Sequence, residues 1–420
     1  MKLYFLLLIF LISPLFAYLD PGSGSMLLYF LAGIIATFIY FIKGIIYKVK
    51  SLFSSGKIDV NTNDLQNADI LFYSEGGHYW NVFLPIIEEL EKLEVESVYY
   101  TSQENDPSLK SNFSFMKVQY IGNNYASFAL LNNIKVKVVI MTTPQLDIMY
   151  LKKSKYVQYY IHIVHAASDL LLYKKFAFDY FDIIMCSGEH QIDSIRALEQ
   201  KRNLPEKLIL RTGLTYYDIM FRNKVKHPTD KQNKTILIAP TWGENGMLTK
   251  FGIEPIKKLL LSGYQIILRP HPQDYTAQKQ LMEEIEEKLL NYRNLEIDKK
   301  LSGEDSMGRS NILISDFSGI IFDYFFIYEK PIIAFFDNIP IGGLEAEDVD
   351  KDVWEVSKFI EITNIVKPKD IDKLSDVVEK SIASNVSKKV KNLRCEALFN
   401  FPHAGKIAAE QIIKIVKEKS

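Results

Sequence analysis

The sequence predicts an α/β protein with two Rossmann-like lobes of parallel sheet, preceded by an N-terminal membrane segment. Short apolar runs alternate with amphipathic stretches, this alternation restarts near residue 234, and two longer apolar runs open the chain. A regular βα order predicts parallel sheets covered on both faces. The 420 residues suffice for two or three domains.

The first 50 residues are predicted to reach a membrane. Leu3–Ala17 is apolar and has the features of a signal peptide, with an imperfect cleavage site. Met26–Ile42 holds 17 residues without a charge and is followed by three lysines up to residue 50, which suits a marginal transmembrane helix. Either the signal peptide is cleaved and the second run remains as the anchor, or both runs remain and form a two-helix hairpin. In either case the lysines predict that the body lies on the cytoplasmic side of the inner membrane.

The first lobe is predicted over residues 68–220, after a polar linker at 51–67. It opens with the apolar run Ala68–Ser74, a glycine-containing turn that includes His78, and a stretch with helical spacing. Strand, turn and helix in this order begin a Rossmann-like unit. Four more candidate strands follow: Glu96–Thr101, Val136–Thr142, Val157–Val164 and Phe181–Cys186.

The second lobe is predicted over residues 234–420. Its candidate strands are Lys234–Ala239, Tyr264–Leu268, Asn311–Ser315 and Pro331–Phe335, with helical stretches between them. Two α/β halves of similar size predict a bilobed enzyme of the GT-B type, with its site in the cleft between the lobes.

Composition excludes several classes of function. A net charge of −1 gives no general attraction for nucleic acid. Cys186 and Cys395 have neither a disulfide framework nor zinc-ligand spacing around them. The acidic stretch 345–352 has no EF-hand frame, so we interpret it as a solvated loop. No metal and no cofactor are expected.

The candidate strands of the second half are followed by polar clusters. The carboxyl ends of parallel strands deliver ligand-binding loops to one edge of a sheet. Arg269 and His271 lie in a proline-stiffened loop that suits phosphate contact and proton transfer, although a rigid turn is an equal alternative. The segment 315–319 at a helix start can hold an anion, or its polar side chains can simply cap the helix. The donor-side candidates from these clusters are Thr241, Arg269, Ser315, Asp316, Ser318, Gly319 and Asp323.

The first half supplies a candidate general base. His165 follows the run Val157–Val164, where a histidine can take a hydroxyl proton. His162 lies inside the run and is expected to pack. His78 in the first turn is a weaker candidate, and Asp169 either orients His165 or caps the next helix. His403 is a further weak candidate near the C-terminal helix.

Together these motifs resemble one known family. The ordered set is His165, Gly213 with Asp218, Ala239-Pro240-Thr241-Trp242, Arg269-Pro270-His271-Pro272, Ser315 to Tyr324 with Asp323, and Lys330-Pro331. This set looks like the CDP-glycerol glycerophosphotransferases, the teichoic-acid primases and polymerases, over roughly residues 70–415. Its last block is the most specific part.

The resemblance implies a GT-B fold with an N-terminal acceptor lobe and a C-terminal nucleotide-donor lobe. It implies metal-independent transfer of glycerol phosphate from CDP-glycerol, or another CDP-polyol, to a hydroxyl of a lipid-linked or glycan acceptor at the membrane, with CMP released. His165 falls on the position of the family's base. His271 would assist at the donor phosphate, and residues 315–319 would contact the diphosphate. Gly213 belongs to the implied donor site, and Asp218 is a weaker candidate.

The chain also departs from the family pattern. Val164 and Ala166 flank His165 where the family has Trp and Gly, Gly243 stands where Arg is common, and Gly319 replaces a serine. Two alternatives therefore stay open. One is a GT-B glycosyltransferase or epimerase that uses a UDP-sugar, and the other is an inactive membrane-tethered scaffold for envelope polymer assembly.

Overall fold

The computed structural model describes residues 68–417, apart from residues 124, 149, 225–233, 301 and 337–341, and also the isolated positions 34, 42 and 65. The predicted transmembrane segment at 26–42 and the linker at 51–67 therefore lie outside the described residues, save for those isolated positions. Among the residues that are described, no helix is both long and apolar enough to cross a bilayer.

The first sheet has seven parallel strands in the order β3-β2-β1-β4-β5-β6-β7. Their bounds are β1 Ile70–Ser74, β2 Ser97–Thr101, β3 Met116–Tyr120, β4 Val138–Met141, β5 Tyr159–Ile163, β6 Ile183–Cys186 and β7 Leu208–Arg211. The strand order reverses direction between β1 and β4. Loops at the carboxyl ends of strands beside such a reversal form a ligand crevice in open α/β sheets.

Helices cover both faces of the first sheet. They are α1 Trp80–Lys92, α2 Tyr125–Leu131, α3 Glu189–Arg202 and α4 Thr215–Asn223. In α1, Val82, Phe83, Ile86 and Leu90 are buried, and they pack in one cluster with residues of β1. Their helical spacing gives α1 one apolar face, so burying that face fixes the helix against the sheet.

The second sheet has six parallel strands in the order β10-β9-β8-β11-β12-β13. Its strands are β8 Thr235–Ile238, β9 Gln265–Leu268, β10 Leu295–Ile297, β11 Ile312–Ser315, β12 Ile332–Phe335 and β13 Thr363–Val366. Its helices are α5 Met247–Phe251, α6 Glu254–Leu261, α7 Asp274–Ala277, α8 Lys279–Leu289, α9 Glu304–Arg309, α10 Ile320–Asp323, α11 Trp354–Ile362 and α12 Leu374–Ile382. A wider π-helical turn, Tyr324–Tyr328, directly continues α10. The two sheets confirm the predicted α/β fold.

The chain returns to the first sheet at its C-terminal end. Helix α13 (Ser387–Ala397) contacts α3, and α14 (Ala404–Lys417) packs against α1 and α4. A Cβ atom at Gly405 would lie 2.4 Å from Cβ of Pro85 in α1, so glycine permits this close approach. The last helix thus belongs with the first sheet, whereas the sequence analysis assigned all of 234–420 to the second lobe. The apolar face of α14 packs against α1, and the periodicity of α14 alone does not show which distant helix will cover that face.

One apolar core joins the two lobes. The cluster that contains Leu71 and Val139 of the first sheet continues to Leu237, Leu313 and Ile332 of the second. Burial of apolar surface contributes roughly 25 cal/mol for each Å² removed from water. The facing sides of the sheets are therefore held together by the same effect that stabilises each lobe.

Ion pairs add a second tie between the lobes. Arg202 of α3 contacts Glu345 and Asp348, and Lys175 contacts Asp348 at 2.7 Å. Glu345 is completely buried and also accepts a hydrogen bond from the backbone N–H of Ala177 at 2.8 Å. The interpretation of 345–352 as a solvated loop is therefore wrong for its first members. Their cationic partners lie more than 140 positions earlier in the chain, where local charge patterning gives no indication of them.

Candidate active site

A cleft of about 520 Å³ opens between the lobes at the carboxyl ends of both sheets. The first lobe contributes His78, Tyr79 and His165 to its lining, and the second contributes Arg269, Gly303 and Asp323. All of these residues except Gly303 carry a polar side chain that can bind or orient a polar ligand. The cleft therefore brings His165, Arg269, Asp323 and the weaker candidate His78 together.

His165 lies two positions after β5, at the strand's carboxyl end. Its ring meets that of Tyr79 edge-on, with 5.1 Å between centroids, and its Nδ1 lies 3.5 Å from the hydroxyl of Tyr173. Burial, together with the nearby His78, lowers the pKa of His165 to about 4. The imidazole is therefore neutral at pH 7 in the free protein and can accept a proton.

The turn after β1 holds the other aromatic groups of this wall. The backbone N–H of Gly77 donates to Oε1 of Gln103 at 2.7 Å, and the rings of His78 and Tyr79 lie 3.9 Å apart. Burial lowers the pKa of His78, while Asp106 acts in the opposite direction. His78 thus also favours the neutral form and supplies a polar edge to the cleft.

His162 packs in the core, as predicted. It lies within β5 and is completely buried, with Phe178 and Phe181 each 5.0 Å away between ring centroids. Burial, together with the nearby His165, lowers the pKa of His162 to about 3. Its position inside the strand keeps it away from ligands.

Arg269 is the cation of the cleft. It follows β9, and its Nη1 donates to Oδ2 of Asp298 at 2.8 Å. Burial raises the pKa of Asp298, but hydrogen bonds from Ser306 and the N–H of Lys300, together with Arg269, outweigh it and the pKa is lowered overall. The carboxylate is therefore ionised and fixes the guanidinium, which suits contact with a phosphate.

Gly303 shapes the space around that guanidinium. A Cβ atom at this position would lie 2.9 Å from Nε and 3.3 Å from Cζ of Arg269. Gly303 precedes α9 and also lines the cleft. The missing side chain leaves room for the guanidinium of Arg269 at this place in the cleft lining.

Asp323 is a carboxylic acid that titrates near neutrality. It ends α10, and burial raises its pKa to about 7, while a hydrogen bond from Tyr217 acts in the opposite direction. At pH 7 both protonation states are populated, so the group can donate or accept a hydrogen bond. A polyol or ribose hydroxyl can use either arrangement.

The predicted anion-binding segment divides into outward and inward residues. Gly319 is exposed, with no atom within 4 Å of a Cβ built on it, and the next residue, Ile320, lines the cleft. The hydroxyl of Ser315 instead donates to the carbonyl of Ala239 at 2.6 Å. Ser318 is half-buried beside Gly319. The opening at 318–320 therefore stays available for an anion.

Asp316 turns inward and organises the neighbouring loop. Its carboxylate accepts from the backbone N–H groups of Thr241 at 2.7 Å and of Met247 at 2.6 Å. Burial raises its pKa to about 6, and these hydrogen bonds act in the opposite direction. The structure thus gives Asp316 a role in holding the loop that carries Thr241.

His271 lies on an exposed loop beside Trp242, with 6.3 Å between the ring centroids. Its Nδ1 accepts from the N–H of Gln273 at 3.1 Å. Burial lowers the pKa of His271, and the neighbouring carboxylate of Asp274 opposes this change. Among the described residues that line the cleft, His271 and Thr241 do not appear, so the structure groups them with Trp242 as a separate rim of the second lobe.

Three other candidates hold the fold together. Asp169 accepts from the N–H groups of Leu171 at 2.9 Å and Trp354 at 2.7 Å, so it caps a turn and does not contact His165. Asp218 accepts from the N–H groups that begin α14. Gly213 has φ +92°, and a Cβ there would lie 2.1 Å from the carbonyl oxygen of Phe399.

His403 is exposed just before α14. Its backbone N–H donates to the carbonyl of Asn400 at 2.6 Å. It is not among the described residues that line the cleft.

Sequence reasoning missed Tyr79, Tyr173, Tyr216 and Gly303. Tyr79 directly follows His78 in a turn that was identified, so its place in the turn after β1 could have indicated it. Tyr216 and Gly303 both line the cleft; Tyr216 lies within the motif from Gly213 to Asp218 but was not singled out, and Gly303 lies in no motif. Tyr173 approaches His165 only because the turn at 170–172 folds back.

Comparisons with solved structures show the same two-lobed fold. The wall teichoic acid polymerase TagF is 16% identical, with 92% of this chain and 98% of that chain covered and a TM-score of 0.53. The UDP-GlcNAc 2-epimerase of Methanocaldococcus jannaschii, solved with UDP-GlcNAc and UDP, is 14% identical over 82% of this chain and 99% of that chain, with a TM-score of 0.54. MnaA of S. aureus, solved with UDP, is 15% identical over 83% and 96% of the two chains, with a TM-score of 0.54.

The match to a family model is more specific than these likenesses of fold. No curated protein sequence matches the chain. The model described as CDP-glycerol:poly(glycerophosphate) glycerophosphotransferase matches residues 62–340, well over half of the chain and including every cleft residue discussed above. The cleft, its two-lobed frame and this match agree, and the chain belongs to the CDP-glycerol:poly(glycerophosphate) glycerophosphotransferase family.

Proposed function

We propose that this enzyme transfers glycerol phosphate, or a related polyol phosphate, from a CDP-linked donor to a hydroxyl of a glycan or polymer acceptor and releases CMP. The observation that carries this proposal is the placement of His165 and Arg269 on opposite walls of one cleft. A proton acceptor and a fixed cation facing each other suit attack by a hydroxyl on a phosphate.

On the acceptor side, His165 is the general base. Its neutral imidazole accepts the proton as the acceptor oxygen bonds to the phosphorus that carries glycerol. The phosphoanhydride bond to CMP breaks in the same in-line displacement. Negative charge brought by the donor raises the pKa of His165 from its low value in the free protein, so the base becomes stronger when the substrate is present.

On the donor side, Arg269 neutralises the diphosphate. The ion pair with Asp298 holds its guanidinium in place before the donor arrives. The hydroxyl of Ser318 and the backbone N–H groups at the start of α10 add hydrogen bonds. Phosphoryl transfer depends mainly on such positioning and charge neutralisation.

His271 assists from the rim that it shares with Trp242. Thr241 belongs to the same rim, because Asp316 fixes the loop that carries it. Asp323 contacts a hydroxyl of the donor. These three roles follow from the family resemblance, from the exposed loop position of His271 and from the place of Asp323 in the cleft lining.

The body works at a membrane surface. Support comes from the apolar run 26–42 and the lysines that follow it. These features predict that the enzyme is anchored in the inner membrane with both lobes on the cytoplasmic side. Membrane fractionation and protease accessibility of the intact cell test this location: a cytosolic pool of full-length chain would contradict it.

The decisive experiment measures CMP release by the purified full-length chain. CDP-glycerol and CDP-ribitol are compared with UDP-sugars, each with and without EDTA. CMP from a CDP-polyol, unchanged by EDTA, supports the proposed reaction. Release of UDP from a UDP-sugar instead would assign the protein to the glycosyltransferase or epimerase alternative.

Two variants connect that activity to the cleft. Arg269→Gln removes the cation and is expected to lower CMP release by about a hundredfold, because a charged group at a developing phosphate charge contributes several kcal/mol. Arg222→Gln is the matched control, because Arg222 lies on the exposed side of α4 and pairs with Glu88 of α1. Equal activity of the two variants would contradict the proposed donor site.

A further inference from the structure

We propose that Tyr173 is a positioning residue for His165, an inference that rests on the transferase function above. The hydroxyl oxygen of Tyr173 accepts the Nδ1 proton of the imidazole. Nε2, on the opposite side of the ring, is thereby left without a proton and takes the one from the acceptor hydroxyl.

The geometry of the pair supports this role. The Tyr173 hydroxyl lies 3.5 Å from Nδ1 of His165, and the ring centroids are 6.2 Å apart at an interplanar angle of 69°. In the part of the chain that the structure describes, Tyr173 is the one side chain at hydrogen-bond distance from this imidazole. A distance of 3.5 Å is the outer limit of a hydrogen bond, and catalytic contacts are often long before substrate binds.

Tyr173 itself is rigidly held. Its ring packs against Phe178 with 5.0 Å between centroids. Its carbonyl accepts from the N–H of Glu345 at 2.8 Å, a residue of the second lobe. Asp169 caps the short turn that immediately precedes it. The ring of Tyr173 is thus held by Phe178 and its backbone by Glu345 of the second lobe, so the residue can orient His165.

Proton accounting shows why this anchoring matters. A neutral imidazole carries one N–H, and a phenol hydroxyl can accept from Nδ1–H or donate to a bare Nδ1; the proposal is the first arrangement. Nε2 can act as a base only when the proton is on Nδ1. During transfer the acceptor O–H bond breaks, the new O–P bond forms, CMP leaves, and the released proton binds Nε2. The Nδ1–H group keeps its contact with Tyr173 throughout and orients the imidazolium.

The other groups facing His165 do not replace Tyr173. The ring of Tyr79 contacts it edge-on, and His78 lies beside that ring. Asp169 is occupied by its N–H donors and by the hydroxyl of Ser194 at 2.8 Å. A phenol is uncharged, so it orients the imidazole without the rise in basicity that a carboxylate would cause.

The test uses Tyr173→Phe, which keeps the half-buried ring and removes the hydroxyl. CMP release is followed across pH with a CDP-polyol donor and acceptor, and the tautomer of His165 is read from long-range ¹H–¹⁵N spectra of the histidine-labelled full-length chain. His165→Gln assigns its signals. We expect kcat to fall by about tenfold to a hundredfold with the KM for the donor unchanged, since orientation of a catalytic group contributes on this scale. We expect Nδ1 to be of the pyrrole type in the wild-type protein and mixed in the variant.

Tyr180→Phe is the matched control, because Tyr180 is exposed and lies outside the cleft lining. It should leave both readouts unchanged. A pyridine-type Nδ1 in the wild-type protein, or a Tyr173→Phe variant with wild-type turnover and tautomer, overturns the proposal. Absence of CMP release from every CDP-polyol would contradict the proposed function, while the nitrogen spectra would still decide whether Tyr173 sets the tautomer.

Discussion

Replacement of Gly303 by alanine is expected to impair catalysis without unfolding the protein. The new Cβ would lie 2.9 Å from Nε of Arg269, while ordinary van der Waals contacts begin at 3.4 Å. The guanidinium must therefore retreat by about half an ångström, against an ion pair with Asp298 that holds it in place. A misplacement of about 1 Å in an active site can cost about a hundredfold in rate. A shift of half that size predicts a loss of about tenfold, or roughly 1.4 kcal/mol of transition-state stabilisation.

The assay is CMP release at saturating and at limiting donor, combined with thermal unfolding. We expect kcat/KM to fall and the unfolding midpoint to stay within the range of the control. Gly342→Ala is that control, because nothing lies within 4 Å of a Cβ built there. Wild-type kcat/KM in Gly303→Ala would refute the reasoning, since it would mean that the position of Arg269 does not limit the reaction.

Three further predictions concern stability. Gly213→Ala forces a Cβ to 2.1 Å from the Phe399 carbonyl at φ +92°, so it should lower the free energy of unfolding by about 3 kcal/mol, as measured by denaturant titration; an unchanged midpoint would contradict the close packing. Asp218→Ala removes the carboxylate that accepts from the first N–H groups of α14 and should cost about 1 kcal/mol, detectable as faster amide exchange in that helix. Burial raises the pKa of Asp323 to about 7, above the unfolded value of about 3.9. The contribution of the protonated carboxyl to the free energy of unfolding is therefore full below about pH 4 and is lost as pH rises through 7. Asp323→Asn should therefore show a shallower decline of the thermal midpoint over that window, and an unchanged slope would count against the raised pKa.

The strands that could be predicted from the sequence are those inside the sheets. The structure confirms all nine candidate strands, whereas β3, β7, β10 and β13 were not predicted. These four are the edge strands of the two sheets. Interior strands such as β1 are buried along their whole length, so they form continuous apolar runs. Edge strands such as β7 are partly exposed, and their mixed composition resembles that of loops.

The site residues that could be predicted are those that come directly after a strand. His165 and Arg269 follow the ends of β5 and β9, and the structure brings both to the cleft. Asp218 and Gly213 belong to a motif of the family, but their contacts are with the C-terminal segment almost 190 positions later. Motif matching identified these positions as important without showing whether they bind a ligand or support the fold.

The return of the chain to the first lobe restricts how the cleft can open. The polypeptide passes between the lobes twice, once between the end of α4 at Asn223 and the start of β8 at Thr235, and again between Ile382 and α13. A body attached at one point can swivel in every direction, but a body attached at two points turns about the line that joins them. Together with the apolar core that the two lobes share, the two crossings restrict any opening of the cleft to rotation about one axis.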